Sequence, residues 1–188
     1  MPDDYALVRE NFLNPKHVGE AARPNFVGRG ASLACGAVVS MSLHVDESQR
    51  ITDAKFKAAG CSVLVGSTSL LIDEILGKTT AEAAALARKT NGLTAEVLPR
   101  GSECAALAAE ALVSAIRSYS GAARDEWEGD DALICTCFCV SEQTIEHEIQ
   151  TKNLKTLSEV TAACSAGGGC RSCYSLIEDI LEEVNGKW

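Results

Sequence analysis

The chain has 188 residues, 46% of them apolar, and a formal net charge of −9, enough apolar material for one core or two small ones and too much for general disorder. No apolar run approaches the roughly 18 residues of a membrane span, and the acidic excess argues against nucleic acid and anionic membrane as partners. The opening Met1-Pro2-Asp3-Asp4-Tyr5 lacks a signal-peptide pattern and reads as cytoplasmic, where nine cysteines point to metal or redox chemistry rather than disulfides.

In chain order, a helix is expected through Tyr5–Leu13, ending before Asn14-Pro15. Val39, Met41, Leu43 and Val45 then alternate with Val38, Ser40, Ser42 and His44, the period of a half-buried strand. Asp46–Arg50 turns into a second strand, where Ala54, Phe56 and Ala58 alternate with Lys55 and Lys57. The pair reads as an antiparallel hairpin with one wet face. After Gly60-Cys61 the apolar spacing lengthens, and Val63, Leu64, Leu70, Leu71, Ile75 and Leu76 suit a helix that stops at Gly77. Thr79-Thr80-Ala81-Glu82 is a capping-box sequence for an alanine-rich helix ending before Gly92. A further helix runs from about Glu103 to Tyr119, with Gly121 as its stop. The expected fold class is α+β, a small antiparallel sheet covered by helices.

The stretch 121–132 is glycine-flanked and charge-rich, and charge changes across it: residues 1–123 carry net −1, residues 124–188 net −8. Two domains follow, 1–123 and 133–188, joined by an acidic linker at 124–132. The acidic part suits a basic protein partner or serves solubility alone. It shows no strand-like alternation. Ser141 can cap a helix carrying Ile145 and Ile149, and Thr156-Leu157-Ser158-Glu159 is a second capping box, ahead of Val160 and Ala163. Leu176, Ile177, Ile180, Leu181 and Val184 mark a third amphipathic helix. A small all-α module is expected here, too short to be robust without a staple, which four cysteines around a metal centre would supply.

Those cysteines come as Cys135-Thr136-Cys137 and Cys170-Arg171-Ser172-Cys173, the second pair set against Gly167-Gly168-Gly169. Four sulfur ligands suit zinc or an iron–sulfur cluster, and spacing does not choose between them. Cys139 forms a second C-x-C with Cys137. Cys35, Cys61 and Cys104 are far apart in sequence. Cys61 and Cys104 each begin an expected helix, where the dipole and free N–H groups favour a thiolate, and Cys35 lies in a glycine-flanked loop. Three thiolates at one end of a sheet make an open site; three unrelated core cysteines are the alternative. His17, His44 and His147 stand in unrelated contexts as surface or capping residues, and the serines near Cys61 read as helix-face residues. No Ser/His/Asp grouping or phosphate-binding glycine loop is visible, so nothing marks an enzyme.

Asn14-Pro15-Lys16-His17-Val18-Gly19, Ala34-Cys35-Gly36 and Asp53-Ala54-Lys55-Phe56-Lys57-Ala58-Ala59-Gly60-Cys61-Ser62 resemble the IscU/NifU N-terminal family of iron–sulfur scaffolds. The similarity continues through Ser67-Thr68-Ser69-Leu70 and Gly77-Lys78-Thr79 to Cys104 and covers about residues 3–120. It implies that Cys35, Cys61 and Cys104 hold a transient 2Fe–2S cluster built from iron and from sulfur delivered by a cysteine desulfurase. Ile134-Cys135-Thr136-Cys137-Phe138, Val140-Ser141, Leu157–Val160 and Ala166–Cys173 resemble the module of bacterioferritin-associated ferredoxin and the central part of NifU, over about 133–185. That resemblance implies a permanent 2Fe–2S cluster on Cys135, Cys137, Cys170 and Cys173, with Cys139 and Cys164 as spare packing thiols.

The chain departs from the first family's pattern in three places. Ala37 stands where the family has Asp, Glu103 where it has His, and Leu98-Pro99-Arg100-Gly101-Ser102 in place of its chaperone-recognition stretch. Without the Asp, the scaffold is expected to hold its cluster more tightly. Glu103 is either an oxygen ligand to metal or a first-turn helix acid. The resulting expectation is a cytoplasmic scaffold rather than an enzyme, with a desulfurase, apo iron–sulfur clients and a ferredoxin or other electron donor as partners, and a homodimer as its state. The alternative is a 2Fe–2S redox carrier with a degenerate first domain holding iron or zinc.

Overall fold

The computed structural model describes residues 3–97, 102–125 and 132–186. The chain divides into two compact units, residues 1–118 and 119–188. Of the expected linker 124–132, residues 126–131 lie outside the described residues, as do 98–101 of the altered chaperone stretch.

The first unit begins with helix α1 (Asp3–Leu13), followed by strands β1 (Phe26–Ala31), β2 (Val38–Val45) and β3 (Ile51–Ala59). The strands form one antiparallel sheet in the order β1-β2-β3. Val39, Met41, Leu43 and Val45 of β2 face the core with Ala54 and Phe56 of β3, each 5% exposed or less, as the alternation predicts. Helices α2 (Ser62–Ile75), α3 (Thr80–Val97) and α4 (Ser102–Asp125) follow, and Leu64, Ile72, Ile75 and Leu112 join the same core. Thr79 and Glu82 form the expected box: the Thr79 N–H donates to Glu82 Oε2 at 2.7 Å, and the Glu82 N–H to Thr79 Oγ1 at 3.2 Å.

Strand β1 is absent from the sequence reading, and its packing explains why. Its inward positions are Gly28 and Gly30, which carry no hydrophobic signal. A Cβ on Gly28 would run into the backbone of Ala111 and Ala115, and one on Gly30 would lie 2.7 Å from the Leu107 carbonyl oxygen. The strand therefore rests directly on α4, backbone against backbone. Two helices also outrun their expected stops. Helix α3 continues through Gly92, and α4 passes Gly121, where the flank of the helix is open. A glycine costs about 1 kcal/mol in a helix interior and does not by itself end one.

The second unit is helical but not all-α. Strands β4 (Leu133–Cys135) and β5 (Val140–Ser141) pair as a short antiparallel ribbon, too brief to show alternation, before helices α5 (Glu142–Lys152), α6 (Leu157–Cys164) and α7 (Tyr174–Gly186). The core of this unit gathers Phe138, Val140, Ile145, Ile149, Val160, Ile177, Ile180 and Leu181. Ser141 caps α5 by accepting from the Thr144 N–H, and Thr156 with Glu159 closes the expected capping box on α6.

Candidate metal centres

Strand register brings the first thiol set together. Val38 is the partner of both Ala31 and Ala59, so the β1–β2 loop and the β3–α2 turn leave the sheet at one end. The loop carries Cys35; it is closed by Ser32 N–H to Ala37 carbonyl at 2.8 Å and Gly36 N–H to Ser32 carbonyl at 2.9 Å. Cys61 is the N-cap of α2, and its side chain makes no capping bond. Cys104 lies in the first turn of α4, half-buried against Val8, Val63 and Ala105.

The three thiols interact. Hydrogen bonding to Cys61, burial, and the charges of Cys61 and Cys35 push the Cys104 thiol up to about 12. Cys35 moves the other way, lowered chiefly by a hydrogen bond with the Ser32 side chain and then by the Ala37 backbone. Exposed Glu103 acts on Cys35 as a like charge. Among the described residues, no three Cys, His, Asp or Glu side chains are drawn into metal-ligand geometry. Ala37 is 3% exposed, and a Cβ on Gly60 would lie 3.0 Å from its methyl. The family's carboxylate position is thus an apolar contact here.

The second set brings its two segments together. The Cys170 N–H donates to Cys137 Sγ at 3.5 Å, and Cys135 acts on Cys173. Cys135 and Cys173 are buried and Cys170 is exposed. Burial, and then the Cys135 charge, push Cys173 up to about 11; burial raises Cys137. The Ser172 hydroxyl, 3.0 Å from Cys170 Sγ, leads the groups that bring Cys170 down to about 7. The glycine run has a steric cause. A Cβ on Gly169 would lie 2.5 Å from Cys137 Cβ and 2.7 Å from its Sγ, so only bare backbone fits against that sulfur. Gly167 adopts φ +79°, where its Cβ would strike the Tyr174 ring. Four thiols on two segments with backbone pressed against sulfur fit the donor set of a 2Fe–2S cluster.

The spare cysteines bond elsewhere. The Cys139 thiol donates to the Ser120 carbonyl at 3.6 Å. The Cys164 thiol, raised by burial, donates to the Val160 carbonyl at 3.3 Å. Among the histidines, His44 bonds the Arg23 carbonyl at 2.7 Å and His147 reaches Thr151. His17 Nε2 lies 2.8 Å from Asp73 Oδ1, and Lys16 Nζ 2.9 Å from Asp73 Oδ2. Asp73 escaped the sequence reading, as did Ser32 and Ser172. Ser69 is more than a helix-face residue: it is fully buried, accepts the Lys16 N–H at 3.0 Å and donates to Asn11 Oδ1.

A family model described as the NifU-like N terminal domain matches residues 5–126. The chain belongs to that family. A second model, the BFD-like [2Fe-2S] binding domain, matches residues 133–183, the ribbon and helices that carry the four paired cysteines. The NifU-like chain is 36% identical over 186 residues to the nitrogen fixation protein NifU of Azospirillum brasilense, covering 96% of this chain and 59% of that protein. It is 34% identical over 115 residues to the iron-sulfur cluster assembly scaffold protein IscU of Haemophilus influenzae, covering 60% of this chain and 91% of IscU. A crystal structure of the N-terminal part of a NifU-like protein from Brucella abortus superposes with a TM-score of 0.53 at 19% identity, over 61% of this chain and 92% of that one, a likeness of fold. The chain thus spans 59% of the length of its Azospirillum relative. Among the described residues no helix is long and apolar enough to cross a membrane.

Proposed function

We propose that this chain is a cytoplasmic scaffold on which iron–sulfur clusters are assembled and from which they are passed on. The observation that carries this reading is the convergence of Cys35, Cys61 and Cys104 at one end of the sheet, in a domain whose relatives are named as NifU and as the IscU scaffold. Three thiols form an open set: they can grip a cluster while leaving a position for an incoming or accepting ligand. The chemistry is ligand exchange, with the cluster as cargo. Iron and persulfide sulfur arrive, the sulfur from a cysteine desulfurase, and an apo client protein takes the product. Exposed Cys35 is the entry point, and half-buried Cys104 anchors the inner side. Glu103, whose charge acts on Cys35, would add an oxygen donor when iron or zinc occupies the set.

Cys135, Cys137, Cys170 and Cys173 would hold a resident 2Fe–2S cluster, which supplies one-electron redox chemistry. The ribbon and α7 position the buried pair Cys135 and Cys173, and Gly169 lets the backbone close on Cys137. This centre, fed by a ferredoxin or another electron donor, would serve sulfur reduction at the first set, with a homodimer as the working form.

The test is anaerobic. Iron, acid-labile sulfide and zinc per chain are measured before and after incubation with desulfurase, cysteine and iron. Scaffolding requires a gain of labile iron and sulfide that depends on Cys35, Cys61 and Cys104. A constant content near one cluster per chain would instead identify a redox carrier.

A further inference from the structure

The side chain of Ser172 sits between the two cysteines of the second C-x-x-C, with Oγ 3.0 Å from Cys170 Sγ. With two neutral groups, either could donate. A sulfur bound to metal is a thiolate with no proton, so in the loaded site the hydroxyl must be the donor. The local backbone enforces this contact. Arg171 takes φ +68°, a left-handed conformation that costs a non-glycine residue energy and persists where surroundings hold it. Here the Tyr174 N–H bonds the Arg171 carbonyl at 3.2 Å, and the Arg171 guanidinium stands 5.9 Å over the Tyr174 ring. The resulting turn folds Ser172 back on Cys170.

The position matters as much as the bond. Cys135 and Cys173 are buried, whereas Cys170 and Ser172 face solvent. The Ser172 hydroxyl therefore serves the sulfur at the open edge, where an electron from a donor would enter. A donor to a ligating sulfur stabilises added negative charge and raises the reduction potential of the centre.

We propose that Ser172 is a potential-setting residue: its hydroxyl donates to Cys170 Sγ and holds the one-electron couple of the second centre more positive than the four sulfurs alone would. Uptake of the electron moves no proton; the hydroxyl hydrogen stays on the Ser172 oxygen. The inference rests on reading this thiol set as the seat of a 2Fe–2S cluster.

The test uses the full chain carrying Cys61→Ser, so that cargo at the first set does not contribute. After anaerobic loading, iron, sulfide and the visible spectrum are recorded, and the chain is titrated with dithionite in the presence of mediators. Ser172 is kept or changed to Ala, Thr or Val. The Ala and Val chains should carry as much cluster as the parent, with a reduction equilibrium constant about tenfold lower, about 59 mV for one electron. Thr, which keeps the hydroxyl in the same shape as Val, should restore the parent potential. Equal potentials for Thr and Val at equal cluster content would overturn the proposal. A chain with no iron and sulfide at this set, or with zinc, would overturn the cluster reading itself and the inference with it.

Discussion

Cys135 and Cys139 are equivalent by spacing, each forming a C-x-C pair with Cys137, yet they face different partners. Buried Cys135 interacts with Cys173, whereas the Cys139 thiol donates to the Ser120 carbonyl. Cys139→Ser should therefore leave the visible absorption of the loaded chain intact, and Cys135→Ser should bleach or shift it. Ala37 raises a second question at this scale. Its methyl is buried beside Gly60, next to the loop that carries Cys35. A carboxylate placed there cannot be desolvated cheaply and would turn toward the thiols. Ala37→Asp should speed cluster release to an apo-ferredoxin; a barrier change of about 1 kcal/mol is roughly fivefold in rate. An unchanged transfer rate would show that Ala37 does not set retention. The candidate cysteines were legible, the paired ones from their C-x-C and C-x-x-C spacings and Cys35, Cys61 and Cys104 from the family resemblance. Ser172 and Ser32 were not, because a serine becomes a sulfur partner only through the turn that aims it.

Elements show where local pattern and packing part. Strand β2 announces itself because apolar residues on one of its faces alternate with mostly polar ones on the other. Strand β1 is silent because its inward side chains were removed to let α4 approach. Gly28→Ala should overpack that contact and destabilise the fold by about 3 kcal/mol, the upper range for forced core insertions, read as a lower urea midpoint. The segment after α1 is pinned by another long-range device, Asp73 of α2, which pairs with Lys16 and His17. These hydrogen bonds, His17 first, hold the Asp73 carboxyl below its usual range. Its stabilisation is then complete above the unfolded carboxyl value of about 3.9 and is lost as pH falls through the lower folded value. Asp73 is 35% exposed, so solvent screening keeps the effect modest. The advantage of the native chain over Asp73→Asn in urea unfolding should shrink as pH falls from about 5 toward 3. No spacing rule could reveal this tie, since its partners stand 56 and 57 residues apart.

At the scale of the whole molecule, two units of unequal robustness follow one another. Among the described residues, the first owns a sheet with a buried face, helices α1 to α3 and most of α4. The second has the short helices α5 to α7, a two-stranded ribbon and a small core, and three of its buried or half-buried side chains are thiols of the paired set. Stripping iron anaerobically from the loaded full chain should therefore lower the first thermal transition seen by circular dichroism. A loss of about 2 kcal/mol in a domain this small shifts the midpoint by roughly 10 °C; an unchanged midpoint would show that the thiol set is no staple. The sequence alone determined the hairpin, the helix caps and the change of charge between the halves, and it marked the cysteines of both thiol sets as candidates. These are properties of spacing and composition, carried by residues near one another or by recurring motifs. Only the tertiary structure decided that β1 exists, that helices run through Gly92 and Gly121, that Cys104 interacts with Cys61 and Cys35, and that Ser172 lies against Cys170 while Cys139 bonds the Ser120 carbonyl. Each of those outcomes depends on which atoms approach across long stretches of chain, and close approach leaves its mark as glycine, alanine or serine, the residues whose local pattern says least.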